Sequence, residues 1–61
     1  MNPMFEALQT FMAEARTLLE EMEHGLLSLE QYPDDKEAIN AVFRAAHTIK
    51  GSAGLFGLDD I

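Results

Sequence analysis

The run Glu30-Gln31-Tyr32-Pro33-Asp34-Asp35-Lys36-Glu37 divides this chain in two. Pro33 disfavours helical geometry at Tyr32, the residue before it. Asp34 is placed to cap a new helix, and Glu37, three residues on, completes a pattern like a capping box. One helical pattern therefore stops near Gln31 and another starts near Asp35. A break as short as residues 32–34 joins helices that run antiparallel.

Upstream of the break, Phe5, Leu8, Met12, Ala15, Leu19, Met22, Leu26 and Leu29 alternate in spacing between three and four, which is a heptad seam. Met4, Phe11, Leu18 and Tyr32 widen the seam on one flank. Glu6, Glu14, Glu20, Glu21, Glu23 and Glu30 fall mainly on the other side. Asn2 before Pro3 reads as an N-cap followed by the first helical residue. The first helix is expected over about residues 3–31. Gly25 interrupts its pattern at a cost of about 1 kcal/mol, and either kinks the helix or lets a neighbour pack closely.

Downstream, a second helix is expected over about residues 35–56. Its core face is Ile39, Val42, Ala45, Ala46, Ile49, Ala53 and Phe56, and Gly57 reads as its C-cap. Residues 58–61, Leu-Asp-Asp-Ile, read as the lead-in to a third helix. The fold class is all-α, an antiparallel helical hairpin. Both apolar faces are wider than one partner helix can cover, and four helices are the usual way to satisfy such faces. The chain thus reads as half of a bundle, completed by further residues or by a second copy, and the isolated hairpin is expected to self-associate.

Composition narrows the function. With 61 residues there is room for one small domain or part of one. The absence of cysteine removes disulfides, thiolate nucleophiles and thiolate metal ligands. A net charge of −7 with only four Lys and Arg argues against nucleic acid. No basic leader or long apolar run points to secretion or membrane insertion, so a cytoplasmic protein is expected.

The chemistry is concentrated in Ala46-His47-Thr48-Ile49-Lys50-Gly51-Ser52-Ala53-Gly54. On a helical wheel the core residues centre roughly 140° from His47, so the imidazole faces solvent. Asn40, Phe43, Arg44, Lys50, Gly51 and Gly54 share its face through spacings of three, four and seven. Two of the four cations of the chain lie among them. So do two glycines, each costing about 1 kcal/mol in a helix, which implies that a partner surface approaches the imidazole closely. Phe43 offers such a partner an apolar contact or packs at the core edge.

An imidazole is a good nucleophile near neutral pH. It can take a phosphoryl group as a phosphoramidate, and Lys50, one turn on, is placed to support the added negative charge. No phosphate-binding loop and no magnesium-binding carboxylate pattern accompanies it, so an ATP site must lie elsewhere. His24 sits among Glu20, Glu21 and Glu23, a poor place for a phosphoryl group. It has no second histidine at metal-ligand spacing. No metal site and no cofactor are expected.

The run His47-Thr48-Ile49-Lys50-Gly51-Ser52-Ala53, with Phe56-Gly57-Leu58 after it and Val42-Phe43-Arg44-Ala45-Ala46 before it, resembles the phosphoacceptor motif of histidine phosphotransfer (HPt) domains. It is most similar to the N-terminal phosphotransfer domain of CheA-type chemotaxis kinases. The resemblance implies a partial HPt domain over residues 1–61, half of a four-helix bundle. It implies phosphorylation of His47, with Lys50 and Gly51 as the supporting cation and the small residue beside it. The implied partners are the ATP-binding domain of a histidine kinase and an aspartate of a response-regulator receiver. It also implies a carboxylate from a later helix that hydrogen-bonds the imidazole, and the sequence reads as stopping ahead of that helix. The main competing reading is a non-catalytic acidic helical interaction or dimerisation module, which leaves Lys50-Gly51 beside His47 unexplained. A free-standing histidine enzyme lacks a second catalytic group.

Overall fold

The computed structural model describes residues 2–57. Two helices, α1 (Pro3–Gln31) and α2 (Lys36–Gly54), pack against each other as an antiparallel hairpin 46 Å long. There is no strand among the described residues. The lead-in to a third helix at residues 58–61 lies outside them.

Local chemistry starts and stops each helix. Asn2 caps α1, its side-chain oxygen accepting from the Met4 N–H at 2.9 Å, and Pro3 occupies the first helical position, where its missing N–H is harmless. At the far end Tyr32 leaves helical geometry, and its N–H closes on the Ser28 carbonyl at 2.8 Å. The cap of α2 is Asp35, not the expected Asp34. Asp35 Oδ1 accepts from the N–H groups of Glu37 and Ala38 at 3.1 and 3.2 Å. The Ser28 hydroxyl donates to its other oxygen at 3.3 Å. Only the second aspartate is placed to serve both helices, which favours it over its neighbour. Helix α2 ends at Gly54, two residues short of expectation. Leu55, Phe56 and Gly57 then bond three residues back in a tighter turn, and Gly57 takes the left-handed conformation at φ 71°.

The α2 core face holds as expected, with Ala45 buried and Ile39, Val42, Ala46, Ile49, Ala53 and Phe56 partly covered, and Ala38, outside the expected set, is buried as well. The α1 face is not. Leu8, Phe11, Ala15, Leu18, Met22, Gly25 and Leu29 turn toward α2. The seam residues Phe5, Met12, Leu19 and Leu26 remain more than half exposed, as does Tyr32. The contact line is thus rotated about 50° toward Phe11 and Leu18, as judged at 100° per residue. Gly25 is the reason. A Cβ there would sit 2.6 Å from Val42 Cγ2 and 3.3 Å from the Ala38 carbonyl oxygen. The helices can approach this closely only where α1 has no side chain. At the open end Phe11 and Phe56 meet with ring centroids 5.2 Å apart and tilted by 44°, a geometry aromatic pairs favour.

The rotation gives the hairpin two unlike long sides. One carries the uncovered apolar residues of α1, continued by Ile39 and Ala46 of α2. The other is polar, lined on α1 by Thr10, Glu14, Thr17, Glu21 and His24. The accessible surface is 5051 Å², about 1000 Å² more than a compact chain of this mass exposes.

A side chain at position 25 should therefore destabilise the hairpin even though it improves helix propensity. Gly25→Ala is expected to lower stability by a net 1 kcal/mol or so, since overpacking costs about 1–3 kcal/mol and the propensity gain is about 1. Val42 is β-branched and cannot easily swing away. Adding Val42→Ala should relieve the overlap, so the double variant loses less than the two single losses together. Thermal unfolding followed by circular dichroism measures all three. Simple additivity would show that the contact is slack.

Candidate functional site

The middle of α2 carries the candidate residues on its outer surface. His47 is exposed, one turn after Phe43 and one turn before Gly51. Arg44, Lys50, Gly51 and Gly54 are exposed as well, and Phe43 is 59 % exposed. A Cβ added at Gly51 would meet nothing within 4 Å, so this glycine is not a helix-packing glycine like Gly25. The space around the imidazole is open.

The ring is nonetheless held. His47 Nδ1 lies 2.8 Å from the Phe43 carbonyl oxygen. A carbonyl can only accept, so Nδ1 carries the proton and donates it. In the neutral ring this leaves the lone pair on Nε2. The next residue repeats the pattern, with the Thr48 hydroxyl donating to the Arg44 carbonyl at 2.9 Å. The imidazole thus finds a tautomer-setting partner within its own helical turn, the role that the sequence resemblance assigns to a carboxylate from a later helix. Sequence reading could not find this contact, because any residue at position 43 supplies the same carbonyl.

Arg44 has a second neighbourhood. With Ala41 it forms the α2 wall of a groove of about 580 Å³, whose other wall is Thr17, Glu20, Glu21, His24 and Gly25 of α1. His24 is therefore an exposed histidine on an acidic edge, across the groove from Arg44. Among the described residues no group of three or more His, Asp or Glu side chains is arranged to hold a metal ion. None of the described helices is long and apolar enough to cross a membrane. The residue that sequence reading passed over is Leu55. It is 83 % exposed and stands eight positions after His47, on the same ridge.

The family model described as the Hpt domain matches residues 6–61. The chain belongs to the Hpt domain family. Among curated proteins it is 52% identical over 58 residues to a chemotaxis protein CheA from Rhizobium meliloti (strain 1021), covering 95% of this chain and 8% of that protein. It is 57% identical over 49 residues to a CheA from Salmonella typhimurium, covering 80% of this chain and 7% of the other. A sensor histidine kinase CheAY from Helicobacter pylori is 37% identical over 59 residues, 97% of this chain and 7% of that one. The chain thus spans less than a tenth of the length of these relatives. No solved structure matches it.

The tautomer has a direct readout. At alkaline pH, where imidazoles are neutral, long-range proton–nitrogen correlation spectra should show His47 with Nδ1 protonated and Nε2 bare. His24, which has no such contact, provides the internal comparison. A His47 ring protonated mainly on Nε2 would show that the Phe43 carbonyl does not hold it.

Proposed function

We propose that this Hpt domain is the phosphoryl carrier of a chemotaxis phosphorelay, with His47 as the phosphoacceptor. The observation that carries the reading is the exposed imidazole whose Nδ1–H is tied to the Phe43 carbonyl at 2.8 Å, leaving Nε2 open to solvent. In the loading step the Nε2 lone pair attacks the γ-phosphorus of ATP held by a histidine kinase ATP-binding domain. An N–P bond forms, the bond from phosphorus to the bridging oxygen breaks, and ADP leaves with that electron pair. In the second step an aspartate oxygen of a response-regulator receiver attacks the same phosphorus, and the N–P electron pair returns to Nε2. Nδ1 keeps its proton throughout.

Lys50 supports the phosphoramidate as an exposed cation one turn away, and Gly51 and Gly54 keep the approach clear. Arg44 and Phe43 meet the docking partner. The chain supplies an acceptor rather than an ATP site. It works as part of a longer cytoplasmic CheA-like kinase. With that kinase domain and labelled ATP, His47→Gln should abolish incorporation, while His24→Gln should leave it intact. Lys50→Ala should slow incorporation without abolishing it. Label that survives the loss of His47 would remove the basis of this reading.

The uncovered apolar side supports a second proposal, which does not compete with the first. Phe5, Met12, Leu19 and Leu26 lie more than half exposed on one side of the hairpin. The surface excess of about 1000 Å² is of the order that one partner contributes to a stable interface, about 800 Å². Two copies meeting on this side would form a four-helix bundle with His47 outside. Sedimentation equilibrium of the 61-residue chain should report a dimer that tightens with salt, since each copy carries a charge of −7. A folded monomer at all concentrations would count against it.

A further inference from the structure

We propose that Phe43, His47, Gly51 and Leu55 form one docking ridge for the receiver, and that Leu55 is its far anchor. This rests on the phosphorelay reading above. Phe43, His47 and Gly51 are spaced by four along α2, the spacing of a helix surface ridge inclined about 26° to the axis, and Leu55 follows at the same interval as the cap residue in right-handed helical geometry. The helical rise puts successive members about 6 Å apart. The ridge therefore runs apolar, nucleophile, gap, apolar. Phe43 is 59 % exposed and Leu55 83 %. The gap is real, because a Cβ at Gly51 would touch nothing within 4 Å.

Two apolar side chains flanking an open nucleophile fit a partner whose reactive group lies between two apolar spots. Charge selects among such partners. Two of the four cations of this acidic chain, Arg44 and Lys50, lie within one turn of His47 on the exposed surface of α2. They favour an anionic pocket opposite, which a receiver presents when its accepting group is a carboxylate. Leu55 has a further setting. It shares a groove of about 290 Å³ with Ser52 and Phe56 of its own segment and Ala7, Thr10, Phe11 and Glu14 of α1. A partner side chain covering Leu55 can also enter that groove, so the contact reaches both helices.

The test measures transfer from the phosphorylated chain to a purified chemotaxis receiver domain as the receiver concentration is varied. Leu55→Ala should raise the receiver concentration for half-maximal transfer about tenfold, the scale expected for truncating an apolar interface anchor, with the saturating rate retained. Phe43→Ala should behave alike. Leu55→Glu should be worse than Leu55→Ala, because it sets a carboxylate against an anionic pocket. Circular dichroism should show unchanged helix content in each variant. An unchanged half-saturation in Leu55→Ala would overturn the proposal. So would a fall in the saturating rate alone, which would place Leu55 in the chemistry rather than in docking. An equal slowing of loading by the kinase domain would assign the ridge to the kinase and overturn the receiver assignment. If the unaltered chain takes no label on His47, the phosphorelay reading falls and this one with it. If it labels and transfers but the ridge variants match it, only the ridge falls.

Discussion

The contact of Gly25 with Val42 and Ala38 sets the rotation of both helices, and the rest of the hairpin follows from it. Among the described residues the buried positions are all small, namely Gly25, Ala38 and Ala45. Larger apolar side chains straddle this line and are only half covered. The interface thus resembles a narrow keel rather than a broad core. Its position decides which residues of α1 are left for another partner and which side of α2 points outward with His47. The Phe11–Phe56 contact then closes the open end, and Asp35 with Ser28 closes the other.

Much of this was legible in the residues. The break at Tyr32-Pro33, the two helices and the outward imidazole follow from proline geometry and helical periodicity. The rotation of α1 was not legible, for a physical reason. Counting apolar residues weights Leu19 and Leu26 heavily and gives glycine no weight at all. Helix approach is limited by the bulkiest atom on the contact line, so the residue with no side chain outvotes the leucines. The choice between Asp34 and Asp35 failed for a similar reason. Either can cap α2 by itself, and the deciding contact comes from Ser28 on the other helix. The candidate site was legible as a set of side chains on one face, including Lys50 and Gly51. Its backbone partner and Leu55 were not, because a carbonyl leaves no mark in sequence. A leucine between the core residues Ala53 and Phe56 looks like more of the core.

The proposed phosphoacceptor role asks little scaffold of the site. A nucleophilic imidazole needs one nitrogen bare, the other occupied, and room for the reacting group. Here a single helix provides all three, through the carbonyl one turn back, the glycine one turn ahead and the curvature of the helix surface. Glu20, Glu21 and Glu23 stand beside His24 in sequence, so the two histidines of the chain have different surroundings on the same hairpin. What the hairpin lacks is cover for its apolar side, and that lack concerns stability rather than the geometry at His47.

The separation of the two long sides has a consequence for how such a protein can change over generations. Substitutions at Phe5, Met12, Leu19 and Leu26 answer to whatever packs on them. Under the proposed docking, substitutions at Phe43, Gly51 and Leu55 answer to the partner that reaches His47. Among the described residues the two sets meet through the small residues of the keel and through Phe11, which lines both the groove beside Leu55 and the pocket of Met12 and Leu19. Under the two proposals a lineage can therefore largely alter its assembly without retuning its signalling contacts, and the reverse. Variation at Gly25, Ala38, Ala45 and Phe11 is the exception, because a change there is felt on both sides at once.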